Sequence, residues 1–95
     1  MRTYEVMFIA HPELDEASLT ALVDKAKGWV TSTGGEVTTV DLWGRRRLAY
    51  PIRKQTEGQY VLIQSEMPTA GTAELERNMR LNEQIMRFQV IRTDE

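Results

Sequence analysis

The sequence predicts an α+β fold, a two-layer sandwich in which two helices cover one face of a four-stranded antiparallel sheet in the order β-α-β-β-α-β. Three observations predict it. Four segments alternate apolar and polar residues with a period of two, two segments repeat apolar residues at steps of three and four, and each junction is short and marked by Pro, Gly or a capping residue. No linker, repeat or low-complexity stretch interrupts the 95 residues, so one domain spanning 1–95 is expected. Right-handed crossovers and short connections put the first and third strands at the centre of the sheet and the second and fourth at its edges.

Each element has its own grounds. Arg2 to Ala10 reads as a strand with Tyr4, Val6, Phe8 and Ala10 on one face and the apolar Met7 and Ile9 on the other, and His11-Pro12 stops it. Asp15 suits a helix N-cap, Glu16 a negative charge in the first turn, and Leu14 before the cap can staple against Leu19. The stripe Leu19, Leu22, Val23, Ala26, Val30 is one helix face, Gly34-Gly35 is its left-handed exit, and Gly28 calls for a packing reason or for fraying beyond it. Glu36 to Ile52 reads as a long bent strand, with Gly44 a bulge and Pro51 limiting pairing. A polar turn over Arg53 to Gly58 leads to a strand from Gln59 to Met67, with Val61, Ile63 and Ser65 on one face and Tyr60, Leu62 and Gln64 on the other. Pro68 to Thr72 caps a short helix that carries Leu75 and Met79 and ends near Asn82; Met86, Phe88 and Val90 then alternate with Arg87, Gln89 and Ile91 in a last strand.

Composition excludes several function classes. Without cysteine there is no disulfide framework, thiolate zinc site or thiol nucleophile, and a reducing cytoplasm suits the chain. No apolar run is long enough to span a bilayer, and no export signal stands at the start, so neither a membrane nor secretion is expected. His11 is the only histidine and has no nucleophile or orienting acid beside it; it reads as a solvated strand-end residue. No metal-ligand spacing occurs, and Gly34-Gly35 ends a helix where a phosphate loop would open one. No enzyme activity, cofactor or small-molecule substrate is expected.

The net charge of -2 conceals a strong asymmetry: Arg45, Arg46, Arg47, Arg53 and Lys54 fall together with no acid among them, while acids gather at Glu13, Asp15 and Glu16 and at the terminal Asp94 and Glu95. A basic stretch on an edge strand guards it against aggregation, and guanidinium forks on extended backbone also suit phosphates. The candidate phosphate-contacting residues, which would be RNA-binding if the phosphates are those of RNA, are Arg45, Arg46 and Arg47, followed by Arg2, Arg53, Lys54, Arg87 and Arg92 near strand ends. A base-stacking third strand is not expected, because Gln59 and Val61 occupy the positions such a strand gives to aromatics.

The run Gly44-Arg45-Arg46-Arg47-Leu48-Ala49-Tyr50-Pro51-Ile52-Arg53-Lys54 resembles the signature of the bacterial small-subunit ribosomal protein S-six family. The opening Met1 to Val6, the block Glu66-Met67-Pro68 and the run Leu75-Glu76-Arg77 to Arg80-Leu81-Asn82 with Arg87 beyond agree with it, so the likeness covers essentially the whole chain. The resemblance implies a ferredoxin-like fold, a structural role in the platform of the small ribosomal subunit, binding to the central domain of small-subunit ribosomal RNA, and a heterodimer with small-subunit ribosomal protein number eighteen. Relatives often carry a longer tail that helps hold the partner, where this sequence stops at Glu95.

Two helices can cover only one face of the sheet, and the apolar positions opposite the core, Met7, Ile9, Tyr60, Leu62 and Ile91, mark the other face as a protein-partner surface, with the edge around Tyr50 next to it. The same face also allows a homo-oligomeric scaffold, and the topology alone allows a small-ligand regulatory domain.

Overall fold

A computed structural model describes residues 1–93. The sheet is built from β1 (Arg2–Ala10), β2 (Glu36–Ile52), β3 (Gln55–Met67) and β4 (Ile85–Arg92), all antiparallel, in the spatial order β2-β3-β1-β4. Helices α1 (Glu16–Ser32) and α2 (Thr72–Leu81) lie on one face, the latter entered through a single 3-10 turn at Thr69–Gly71. This is the ferredoxin-like arrangement, with β1 and β3 central. Asp94 and Glu95, the acids expected at the C-terminal end, lie outside the described residues.

The main core forms where the predicted faces meet. Tyr4, Val6, Phe8 and Ala10 of β1 and Val61, Ile63 and Met67 of β3 are buried against Leu22, Val23, Ala26 and Val30 of α1 and Leu75 and Met79 of α2. Ser65 shares that face and is fully buried, its hydroxyl without a hydrogen-bond partner. Leu14 and Leu19, the expected staple, both pack on the core.

The caps of α1 follow from sequence. The Asp15 carboxylate accepts the Ser18 backbone N–H at 2.7 Å, and this bond holds its pKa below the ordinary 3.8. At the far end Gly34 (φ +89°) donates to Thr31 O at 3.0 Å and Gly35 to Val30 O at 3.2 Å, the paired bonds of a Schellman exit. Gly35 is needed for space as well: an added Cβ would lie 2.6 Å from the Glu66 carbonyl oxygen and 2.7 Å from Met67 Cγ. Gly28 has neither of the expected explanations. The helix continues past it to Ser32, and a Cβ there would meet open space.

The hairpin differs most from its expectation. Gln55 already pairs with Ile52, so β3 begins four residues before Gln59 and the turn is only Arg53-Lys54, both left-handed (φ 51° and 67°). Side chains in that region cost about 1–2 kcal/mol each, and an Arg-Lys pair lacks the Asn-Gly or Asp-Gly signal of a two-residue hairpin. Tertiary contacts hold it: the Arg53 guanidinium donates to Glu83 O at 3.1 Å and Ile85 O at 3.4 Å, tying the tip to the start of β4.

A further difference lies in β4. Ile85 faces Ala10 and Arg87 faces Ile9, so Met86 is an extra residue in a bulge. Ile85 joins the main core, whereas Met86, expected on the face of Phe88 and Val90, packs with Ile9 and Leu48 on the opposite side.

Two measurements check these readings. Gly28→Ala should stabilise the protein by about 0.5–1 kcal/mol in urea unfolding, because only the helix-propensity term changes, while Gly35→Ala should destabilise it through the backbone clash. The depressed Asp15 pKa means that its cap is fully formed above the ordinary carboxylate value and is lost as pH falls through the lower folded value. A carboxyl carbon titration by NMR should therefore find a midpoint below 3.8, and Asp15→Asn, which keeps the acceptor, should flatten the acid limb of stability; an ordinary midpoint would refute the cap assignment.

Candidate nucleic-acid and protein interface

Beyond the end of β1, whose last pair with β3 is Ala10 with Gln59, strands β2 and β3 continue as a two-stranded ribbon. The basic stretch lies on it. Period-two alternation divides the three consecutive arginines: Arg46 pairs with Gly58 and so shares the open face with Tyr60 and Leu62, while Arg45 and Arg47 pair with Gln59 and Glu57 on the other side. The three guanidinium groups therefore do not form a single row.

The cations also differ in what they hold. Arg45 donates to Pro12 O at 2.6 Å and lies 3.6 Å from the Glu57 carboxylate, which joins the ribbon to the β1–α1 connection. Gln59 works beside it, its amide within hydrogen-bond distance of the His11, Pro12 and Leu14 carbonyls. His11 belongs to that turn, its Nδ1 accepting the Glu13 backbone N–H at 3.2 Å. Arg53 is the latch of the hairpin tip, and Arg87 lies over the Tyr50 ring at 5.4 Å. Arg2 and Arg92 stand at exposed strand ends and both have partners. Arg47 and Lys54 are exposed, and neither has a hydrogen bond or ion pair among the described residues.

The open face is less open than the sequence implies. Leu48, two residues beyond Arg46, shares this face and buries itself with Ile9 and Met86, flanked by Ile52 and Tyr60, within the stretch where the pairing of β2 slips between Arg47 and Ile52. Gly58 makes this possible, because any Cβ there would collide with the Ile9 side chain. Ile9, expected as an exposed contact, is thus 8% exposed and part of a second small core. Met7, Tyr60 and Leu62 stay half-buried, and Tyr50 and Ile91 are exposed. Met7, Leu48, Tyr50, Tyr60 and Arg87 contribute to the lining of a cleft of about 370 Å³ on this face.

Sequence reasoning missed Trp43. Trp43 is the extra residue where the pairing slips between Leu42 and Gly44, and its indole lies parallel to the Tyr60 ring, with centroids 6.2 Å apart and 9° between planes. Gly44 (φ +83°) was legible as the bulge; the stacking of Trp43 on Tyr60 across the strands was not. On the third strand, Val61 is buried in the helix-side core and Gln59 is tied to the β1–α1 turn, whereas Tyr60 is on the open face.

A small α+β domain with a cationic ribbon at one end and an apolar, aromatic sheet face is an interaction module. Residues 3–92 match the family described as Ribosomal protein S6, and the chain belongs to that family. It is 50% identical to the small ribosomal subunit protein bS6 of Desulforamulus reducens over the full length of both chains, and 46% identical to that of Corynebacterium aurimucosum over 99% of this chain and 98% of the relative. The crystal structure of 30S ribosomal protein S6 from Thermotoga maritima superposes with a TM-score of 0.92 at 33% identity, covering 97% of this chain and 87% of that one. The family comprises structural proteins of the small ribosomal subunit in the bacterial cytoplasm, not enzymes.

The second core is testable by charge insertion. Ile9→Asp should destabilise the fold by at least about 2 kcal/mol, because it buries an unpaired carboxylate, while Leu62→Asp on the half-buried part of the same face should cost markedly less in urea unfolding. Equal costs would mean that Leu48 and Met86 do not seal Ile9 from water.

Proposed function

We propose that this chain binds the central domain of small-subunit ribosomal RNA through its basic ribbon, and does so beside small-subunit ribosomal protein number eighteen, which docks on the open face of the sheet. The observation that carries the reading is the pair of unengaged cations, Arg47 and Lys54, on a ribbon projecting past the sheet. Phosphate contact needs exposed charge free of other duties, and counterion release then drives association. Arg46 adds a guanidinium on the opposite side of the ribbon. Arg87, opposite Ile9, lies at the ribbon end of the sheet and extends the basic surface, whereas Arg2 and Arg92, paired with Met67 and Tyr4, stand at the opposite end and would serve a separate contact; Arg45 and Arg53 act chiefly by holding the ribbon in position. Neither role calls for a cofactor or catalytic turnover.

The partner surface comprises Met7, Tyr60 and Leu62 with Tyr50 and Ile91 at its rim, and Ile9 supports it from beneath. Membership in a ribosomal family supports both parts of the reading, and the apolar cleft suits an anchoring side chain from a protein.

Titrating a central-domain RNA fragment at several salt concentrations tests the first part. Arg47→Ala and Lys54→Ala should each lower the slope of log affinity against log salt by about 0.7–0.9, with little change in stability; an unchanged slope in the double variant would leave these residues only as guards of a strand edge. For the second part, Leu62→Asp should abolish association with the eighteenth protein in analytical ultracentrifugation while the monomer still unfolds cooperatively. A folded variant that still associates would move the docking site elsewhere.

A further inference from the structure

We infer that Trp43, Asp41 and Arg46 form a site for one unpaired nucleobase of single-stranded RNA, on the open face of the sheet. Trp43 is 38% exposed and so accessible to a ligand. It is held there from two directions. Its indole N–H donates to Asp41 Oδ2 at 3.1 Å, and the Tyr60 ring lies parallel to it. An aromatic plane immobilised in this way loses little freedom on stacking a third ring.

The polar groups at the rim distinguish a nucleotide from an apolar side chain. Asp41, Trp43, Arg46 and Tyr60 line one shallow depression. Asp41 Oδ1 has no partner among the described residues and can accept from the amino group of a base, as carboxylates do from nucleobase amines. Arg46 donates its Nε to the Trp43 carbonyl oxygen at 3.3 Å, so the same residue that anchors the bulge points a guanidinium with unused terminal nitrogens to the site. Stacking plane, acceptor and cationic fork together match base, exocyclic amine and phosphate. An apolar side chain seated there would leave the carboxylate and the guanidinium without partners. Splayed single strands present bases to aromatic side chains in this manner, whereas paired strands keep theirs stacked internally.

The inference rests on the RNA-binding reading above, and the experiment separates the two. Trp29→Phe leaves Trp43 as the sole indole, and its fluorescence is followed while a nine-nucleotide oligoadenylate, or a blunt self-complementary G·C-rich RNA duplex, is added at low salt. The single strand should quench Trp43 saturably and the duplex should not. By fluorescence anisotropy of an end-labelled strand, Trp43→Ala should weaken oligoadenylate binding about tenfold or more, with Trp43→Phe recovering part of the loss and Arg46→Gln weakening binding while leaving the fold unchanged by circular dichroism. If Trp43→Ala binds as tightly as the parent, or Trp43 emission responds to the eighteenth ribosomal protein and not to RNA, the base site is refuted while phosphate binding through Arg47 and Lys54 stands. If the central-domain fragment itself fails to bind, with or without the partner protein, the RNA reading fails and the base site with it.

Discussion

A four-stranded sheet with two helices can bury one face with them and no more, and most of this molecule follows from how it treats the other. The helix side is conventional: apolar stripes on α1 and α2 meet the alternating residues of β1 and β3, and the burial of those side chains is the main source of stability. On the far side, solvent would meet Met7, Ile9, Tyr60 and Leu62, a patch too apolar to leave bare. The chain covers one end of it with its own Leu48 and Met86 and leaves the rest accessible.

That partial cover combines regular alternation with one departure from it. The pairing slips at Thr38, at Trp43, between Arg47 and Ile52, and at Met86, and the last turns Met86 from the face of Phe88 onto that of Ile9. Trp43 keeps the face of Asp41 and lies against Tyr60, while Leu48 keeps the face of Arg46 and joins Met86 over Ile9. Gly58 is the geometric condition for the latter pair, since the Ile9 side chain occupies the space of its missing Cβ. Bulges at the end of a sheet, next to exposed charge, place side chains for contact more than they interrupt pairing.

Charge is distributed by the same logic. A net charge of -2 does not hinder a cationic surface when the positive groups are concentrated on one ribbon. Within the ribbon the cations divide their duties. Arg45 and Arg53 donate to backbone carbonyls of distant segments and fix where the ribbon points, so the unengaged Arg47 and Lys54 are presented on a braced support. Arg53 and Lys54 also occupy left-handed backbone, and the hydrogen bonds of Arg53 to Glu83 and Ile85 hold that turn in place.

The order of elements, the limits of β1 and β2, the caps of α1, the central position of β1 and β3 and the helix-side core were all legible in the sequence, because each rests on local periodicity, capping or connection length. The Gly44 to Lys54 run likewise carried the family resemblance that the match over residues 3–92 bears out. What could not be read locally was decided by contacts between distant segments. The tight turn at Arg53-Lys54 exists because carbonyls some thirty residues away accept the Arg53 guanidinium; Ile9 is sealed because Leu48 of β2 and Met86 of the bulged β4 converge on it; and Trp43 lies against Tyr60 because the register of β2 on β3 brings the two rings together. Alternation along a strand shows which residues share a face as long as the ladder is even, and a bulge changes that assignment without altering composition. Sequence therefore determined the fold and the location of the charge, while tertiary structure alone decided which cations are free and which apolar side chains remain exposed, since both depend on pairing register and on partners far along the chain.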